Sequence, residues 1–134
     1  MFTKEYSFTG RHAEMVKSLT EKIESESAFK FFERNLDVYI LAPIIGFLYG
    51  KKGSIDNATT ITRKIFPDQL IKELSQLKYN YQLIMLIDKK HEPSLENRID
   101  KAFRFYGTEK AEGDKQLFEE YVLGGVEVLY EKLT

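Results

Sequence analysis

The chain contains no cysteine, which excludes disulfides and thiolate chemistry and fits a reducing compartment. Its only histidines, His12 and His91, stand in no HExxH or other paired-ligand spacing, so no metal site is expected. There are three prolines and no Pro/Gly/Ser-rich linker, internal repeat or low-complexity tract that would divide the chain. No apolar run reaches the roughly 18 residues a membrane helix needs. The opening residues, MFTKEYSFTG, carry no apolar signal region, so secretion is not expected and a cytoplasmic location is. Neither charge sign dominates. Twenty basic against 21 acidic residues leave a net charge of -1, which selects no polyanionic partner. The distribution is uneven, since residues 109–134 hold seven acids and three bases and leave residues 1–108 positive.

What the sequence does have is apolar material for one core. Of 134 residues 43% are hydrophobic, and ten Phe and eight Tyr are among them, enough to bury roughly two-thirds of the unfolded surface. The centre of the pattern is Leu36–Tyr49, LDVYILAPIIGFLY, with Asp37 as its single charge. A run apolar on every side predicts a helix buried within a soluble domain. Asn35 is placed to cap it, Asp37 suits the positive end of the helix dipole, and Pro43 predicts a kink. Ala42, Gly46 and Gly50 recur every four residues and form a shallow groove on one face. Lys51 and Lys52 meet the negative end, and Gly50 or Gly53 ends the helix.

On either side the periodicity is helical. Phe2, Tyr6 and Phe8 mark an arm, extended across the body, before a helix capped by Thr9 that runs to about Ser27. Its apolar stripe is Ala13, Val16, Leu19 and Ile23, and Phe29, Phe31 and Phe32 follow as an aromatic core plug. Residues 54–66 are β-branched and polar; Asn57 suits a helix cap and Thr59 to Ile61 a short strand, and the segment is read as irregular. Pro67 opens a helix through Leu70, Ile71, Leu74 and Leu77, and Asn80 caps another through Leu83 to Ile87. Ser94 caps a helix that Gly107 ends, with Leu95, Ile99, Ala102, Phe103 and Tyr106 on its apolar face. The last helix runs from about Asp114 to Leu133, striped by Leu117, Phe118, Tyr121, Val122, Gly125, Val128 and Leu129. Gly124 and Gly125 in its middle cost about 1 kcal/mol each in helix propensity, which implies a close crossing, against the Ala42/Gly46/Gly50 groove. The expected fold is all-α, a single helical domain over residues 1–134. Five or six helices would surround the buried central helix at 36–50.

Catalytic patterns are absent. There is no GxSxG or Ser–His–Asp order, and Gly50-Lys51-Lys52-Gly53-Ser54 lacks Walker spacing and follows a helix where a phosphate loop follows a strand. Glu119, Glu120, Glu127 and Glu131 read as the solvated face of the last helix. No enzyme activity and no cofactor are expected. Two basic groups stand out: Lys51, Lys52, Arg63 and Lys64 around the end of the central helix, and Arg98, Lys101 and Arg104 stepping by three along one helix. Each reads either as a solvated face, with Asp100 and Glu96 as local partners for the second, or as a surface for nucleic acid or an acidic partner.

GFLYGKK after an aliphatic helix and EEYVLGGVEVL near the other end together resemble a small bacterial accessory protein family. That family accompanies DNA-phosphorothioation (sulfur modification) gene clusters. The resemblance covers Leu36–Lys52 and Glu119–Leu129, about a third of the chain, and its motifs are apolar and glycine-based. It implies an accessory role beside DNA-modifying or anti-phage machinery and brings no catalytic residues with it. The expected function is therefore a non-enzymatic interaction protein with a protein partner, no membrane role, and homo-oligomerisation left open. The alternative is direct nucleic-acid binding through the basic helix stripe.

Overall fold

The computed structural model describes residues 1–21 and 30–134. Among the described residues two short strands, β1 (Tyr6–Thr9) and β2 (Thr62–Ile65), accompany six helices: α1 (Gly10–Thr20), α2 (Asn35–Tyr49), α3 (Pro67–Lys72), α4 (Leu74–Ile87), α5 (Leu95–Ile99) and α6 (Glu112–Leu133). A π turn (Asp100–Arg104) extends α5, and a 3-10 turn (Glu109–Ala111) leads into α6. The fold is mainly α, as its periodicity predicts. Among the described residues no helix is long and apolar enough to cross a membrane. The expected run of α1 to Ser27, Ile23 in its stripe, and Phe29 in the aromatic plug lie outside the described residues.

The organising contact is the crossing of α2 and α6. A Cβ on Gly125 would land inside the Ala42 carbonyl group, and one on Gly46 would land on the Tyr121 carbonyl oxygen. One on Gly124 would strike the Lys51 carbonyl. Glycine here removes side-chain bulk so that two backbones can touch. Gly50 is not part of the groove but ends the helix, the other role expected of it. It meets nothing within 4 Å and ends α2 in a left-handed turn at φ 63°, its amide bonded to the Gly46 and Phe47 carbonyls. Gly53, beyond that turn, donates to the Glu120 carbonyl at 2.8 Å and so holds the chain against α6.

Burial of α2 is less complete than its composition predicts. Leu36, Val38, Tyr39, Ala42, Pro43 and Gly46 are buried, but Leu41, Leu48 and Tyr49 are exposed. The helix begins one residue earlier than expected, with Arg34 as its cap. Asp37 accepts from the Arg34 amide at 3.0 Å, while Asn35 turns its side chain to the Lys64 carbonyl at 3.0 Å.

β1 and β2 pair antiparallel with Tyr6 opposite Ile65 and Phe8 opposite Arg63. The arm is therefore a strand, and residues 62–65 of the polar segment are its partner. Phe8 and Ile65 are fully buried under this ribbon. Phe2 holds a left-handed backbone at φ 65°, a conformation that costs a non-glycine residue about 1–3 kcal/mol. Its buried ring packs edge-on to Tyr39, Tyr81 and Phe118, with centroids 6.4, 6.3 and 5.5 Å away, which offsets that strain. Thr9 makes no side-chain cap bond to α1. The cap comes from a distant loop, where Asp56 Oδ2 accepts from the Arg11 amide at 2.9 Å.

Asn80 does not start a helix. It lies buried inside α4, donating to the Ile40 carbonyl at 2.9 Å and tying α4 to α2. Ser94 does cap α5, accepting from Asn97. The expected apolar face of that helix holds only in part: Ala102 is buried and Tyr106 packs on the core, but Leu95, Ile99 and Phe103 are exposed and Arg98 is buried in their place.

The crossing makes a signed prediction. Gly46→Ala and Gly125→Ala should each lower stability by at least about 1–3 kcal/mol despite the gain in helix propensity. Gly113→Ala, where nothing lies within 4 Å, should instead gain up to about 1 kcal/mol. Denaturant midpoints decide it: a rise for either crossing variant would contradict the packing.

Candidate functional site

The basic residues singled out by sequence separate into three roles. Arg98 is 5% exposed, and its guanidinium donates to the backbone carbonyls of Leu86, Glu92 and Pro93 at 2.8–2.9 Å. It closes the end of α4 and the following loop from inside. Lys101 is mostly buried and pairs with Asp114 at 3.1 Å. Only Arg104 is exposed, so Arg98, Lys101 and Arg104 form no surface stripe. Spacing by three was the whole signal in the sequence, and it does not distinguish a solvated guanidinium from one consumed by loop carbonyls.

Arg63 is partly buried and bonds Thr20 Oγ1 at 3.0 Å and Asn35 Oδ1 at 3.4 Å, while Lys64 lies exposed on the same strand. With Arg34 these two line an open hollow of about 320 Å³ at the start of α2. Lys51 and Lys52 are exposed at its other end. Lys51 lies 3.9 Å from Glu127, and the Lys52 ammonium sits 5.8 Å from the centre of the Tyr121 ring. Leu48 and Tyr49, just before them in the chain, are 68 and 59% exposed, while Ile55, 71% exposed, lines a separate hollow with Tyr6, Ser7, Thr9, Glu119 and Leu123. Lys132 of α6 reaches to 5.9 Å from the Tyr49 ring, so the ends of α2 and α6 adjoin. The structure thus sets Lys51 and Lys52 beside two exposed apolar side chains, Leu48 and Tyr49, that the sequence assigns to the buried helix.

The carboxylates of α6 are the functional-looking groups that sequence reading missed. Glu127 takes a hydrogen bond with fully buried His12 at 3.0 Å and lies 3.7 Å from Arg11. Asp114, buried, pairs with His91 at 2.7 Å as well as with Lys101. Tyr121 donates to buried Asp88 at 2.6 Å. Each pair ties α6 to a different element. Among the described residues no group of three His, Asp or Glu side chains is arranged to hold a metal ion.

Glu119 is the most perturbed of them. Tyr39 donates to its Oε1 at 3.1 Å, while Oε2 is buried with no hydrogen bond of ordinary geometry. The group lies beside the stacked rings of Tyr6 and Tyr39, 4.4 Å apart, and lines a hollow of about 260 Å³ under the N-terminal arm. Burial pushes its carboxyl up from 4.5 to about 7, against the opposing pull of Tyr39, Lys115 and Tyr6. Burial, and then the Glu119 charge, raise the hydroxyls of Tyr6 and Tyr39 well above their ordinary range. The only sequence sign would have been phase: Glu119 lies two residues before Tyr121 and one after Phe118, at the edge of the apolar stripe.

Between pH 4.5 and 7 the native chain keeps a proton on Glu119 that the unfolded chain has released. Stability from this group therefore falls as pH rises through that window and levels off above it, by a total of about 3 kcal/mol. Glu119→Gln should match the parent near pH 4.5 and melt higher near pH 8; parallel melting profiles across the range would refute the shift. Arg98→Ala should cost about 2–4 kcal/mol, since three carbonyls lose their donor. Arg104→Ala should stay within about 0.5 kcal/mol, and urea titration of both separates the buried arginine from the exposed one.

No protein-family model, curated protein or solved structure matches this chain, so its function is read from its own residues.

Proposed function

We propose that this chain is a non-enzymatic accessory protein that docks on a protein partner, within a bacterial DNA-modification or anti-phage defence system and in the cytoplasm. The observation that carries the docking part is the surface at the end of α2. Leu48 and Tyr49 stand in solvent just before Lys51 and Lys52. An apolar centre with a charged rim is the composition of a protein interface, and scattered exposed leucines do not produce it. The lysines favour an acidic rim on the partner and raise the encounter rate with it. The placement within a DNA-modification system is supported by the resemblance of GFLYGKK and EEYVLGGVEVL to the phosphorothioation-associated family. Both motifs belong to the α2–α6 crossing, and the first also supplies the docking surface.

The test is capture from a host that carries phosphorothioation genes, with the tagged chain as bait and its Leu48→Glu variant as control. The expected result is recovery of proteins encoded beside those genes by the parent, and at least tenfold less by Leu48→Glu at an unchanged melting temperature. Recovery unaffected by Leu48→Glu would reject the surface. Recovery of unrelated proteins alone would reject the system.

A further inference from the structure

Arg104, separated from its sequence neighbours, belongs to a different cluster. The π turn carries one more residue per turn than an α-helix, closing with the Phe105 amide on the Asp100 carbonyl at 2.8 Å. Gly107, at φ 76°, then reverses the chain, and Thr108 bonds back to the Phe105 carbonyl through both its amide and its hydroxyl. The result places the Arg104 guanidinium 5.8 Å and the Lys110 ammonium 4.9 Å from the centre of the same Phe105 ring. On the neighbouring Tyr106 ring, Lys78 of α4 sits at 5.2 Å. Arg104, Phe105, Thr108, Glu109 and Lys110 line an open hollow of about 380 Å³. Phe103, in the same turn, is 53% exposed. Among the described residues neither Arg104, Lys110 nor Lys78 is ion-paired.

Cations with no carboxylate partner, set around aromatic faces, match a ligand that carries both a phosphate and a flat ring. We infer that this hollow binds an unpaired nucleotide within a single strand of nucleic acid. Arg104 and Lys110 meet the phosphates, and the Phe105 ring, which lines the hollow between them, offers a face on which a base stacks. The single carboxylate of the lining, Glu109, leaves that lining a net charge of about one positive unit. So small a surplus does not hold a duplex by its backbone, and stacking supplies the remainder. The hollow is open to solvent along its length, which suits a strand passing through it more than an enclosed free nucleotide. This site is separate from the docking surface at the end of α2 and does not depend on it.

The test uses the whole chain and fluorescence anisotropy with a labelled 20-nucleotide DNA single strand, the matching duplex, and a mononucleotide as competitor. Single-strand binding should exceed duplex binding, and log K should fall against log salt with a slope of about -1.5 to -2, as expected for two to three phosphate contacts. Arg104→Glu/Lys110→Glu should weaken binding at least tenfold, and Phe105→Leu, which keeps apolar bulk and removes the flat face, about tenfold, with melting temperatures unchanged. Lys89→Glu/Lys90→Glu, the same charge change on an exposed turn elsewhere, should leave binding within twofold. The inference is overturned by absence of binding at low salt, by equal loss in the Lys89/Lys90 variant, or by duplex binding that Phe105→Leu does not alter. Binding of the mononucleotide without the single strand would overturn it as well.

Discussion

The structure depends on one steric constraint: two backbones touch where α2 crosses α6. At Ala42–Gly125, Gly46–Tyr121 and Lys51–Gly124 there is no room for a side chain, so helix spacing and register at those points are fixed by main-chain atoms. Main-chain atoms do not repack. A core of leucines tolerates exchange of one shape for another, whereas a carbonyl against a glycine tolerates nothing larger than hydrogen. The glycines give up helix propensity, and burial of Tyr121 to Val126 on all sides is the compensation.

With its middle enclosed, α6 becomes the axis to which everything else attaches. Its polar side chains at the edges of that enclosure cannot reach bulk water and must find partners in the elements around them. Glu119 finds Tyr39, Glu127 finds His12, Asp114 finds His91 and Lys101, and Tyr121 finds Asp88. Each attachment is a charge or hydroxyl held at the margin of the core, where its geometry depends on the packing behind it. The surfaces proposed to be functional lie at the end of α2 and on the turn before α6, and the first meets this set where Lys51 approaches Glu127 and Lys52 faces the Tyr121 ring.

The crossing was legible in the sequence because glycine inside a helix is costly and has few uses. The same reasoning failed at Gly50, where the four-residue spacing was coincidental and the left-handed turn was the real requirement. Arg98 was illegible for a different reason. Its partners are the carbonyls of Leu86, Glu92 and Pro93, and no side-chain pattern announces that a loop will turn its carbonyls inward. Glu119 and Glu120 look alike in sequence, and one residue of helical phase separates a carboxyl under the N-terminal arm from its neighbour. The aromatic cluster at Phe103–Lys110 was hidden by the helical reading of its own segment. A helix ending at Gly107 puts Phe103 and Tyr106 on the core side, whereas the structure turns the Leu95, Ile99 and Phe103 face to solvent and buries Arg98 and Ala102.

The link between α2 and β2 has no regular structure of its own, yet it is moored at intervals. Gly53 is bonded to Glu120, Asp56 to Arg11 and Thr9, and Ile61 to Gly10. Chain length between moorings is therefore a fixed quantity, and only residues 57–60 lie in a span where a residue could be added without dragging a mooring out of place. Among relatives of this chain, insertions and deletions should gather in those four positions while the stretch before them keeps its length. The site for an inserted epitope or a permuted terminus is the same short span, so the apparent freedom of this loop is about a third of what its irregular backbone suggests.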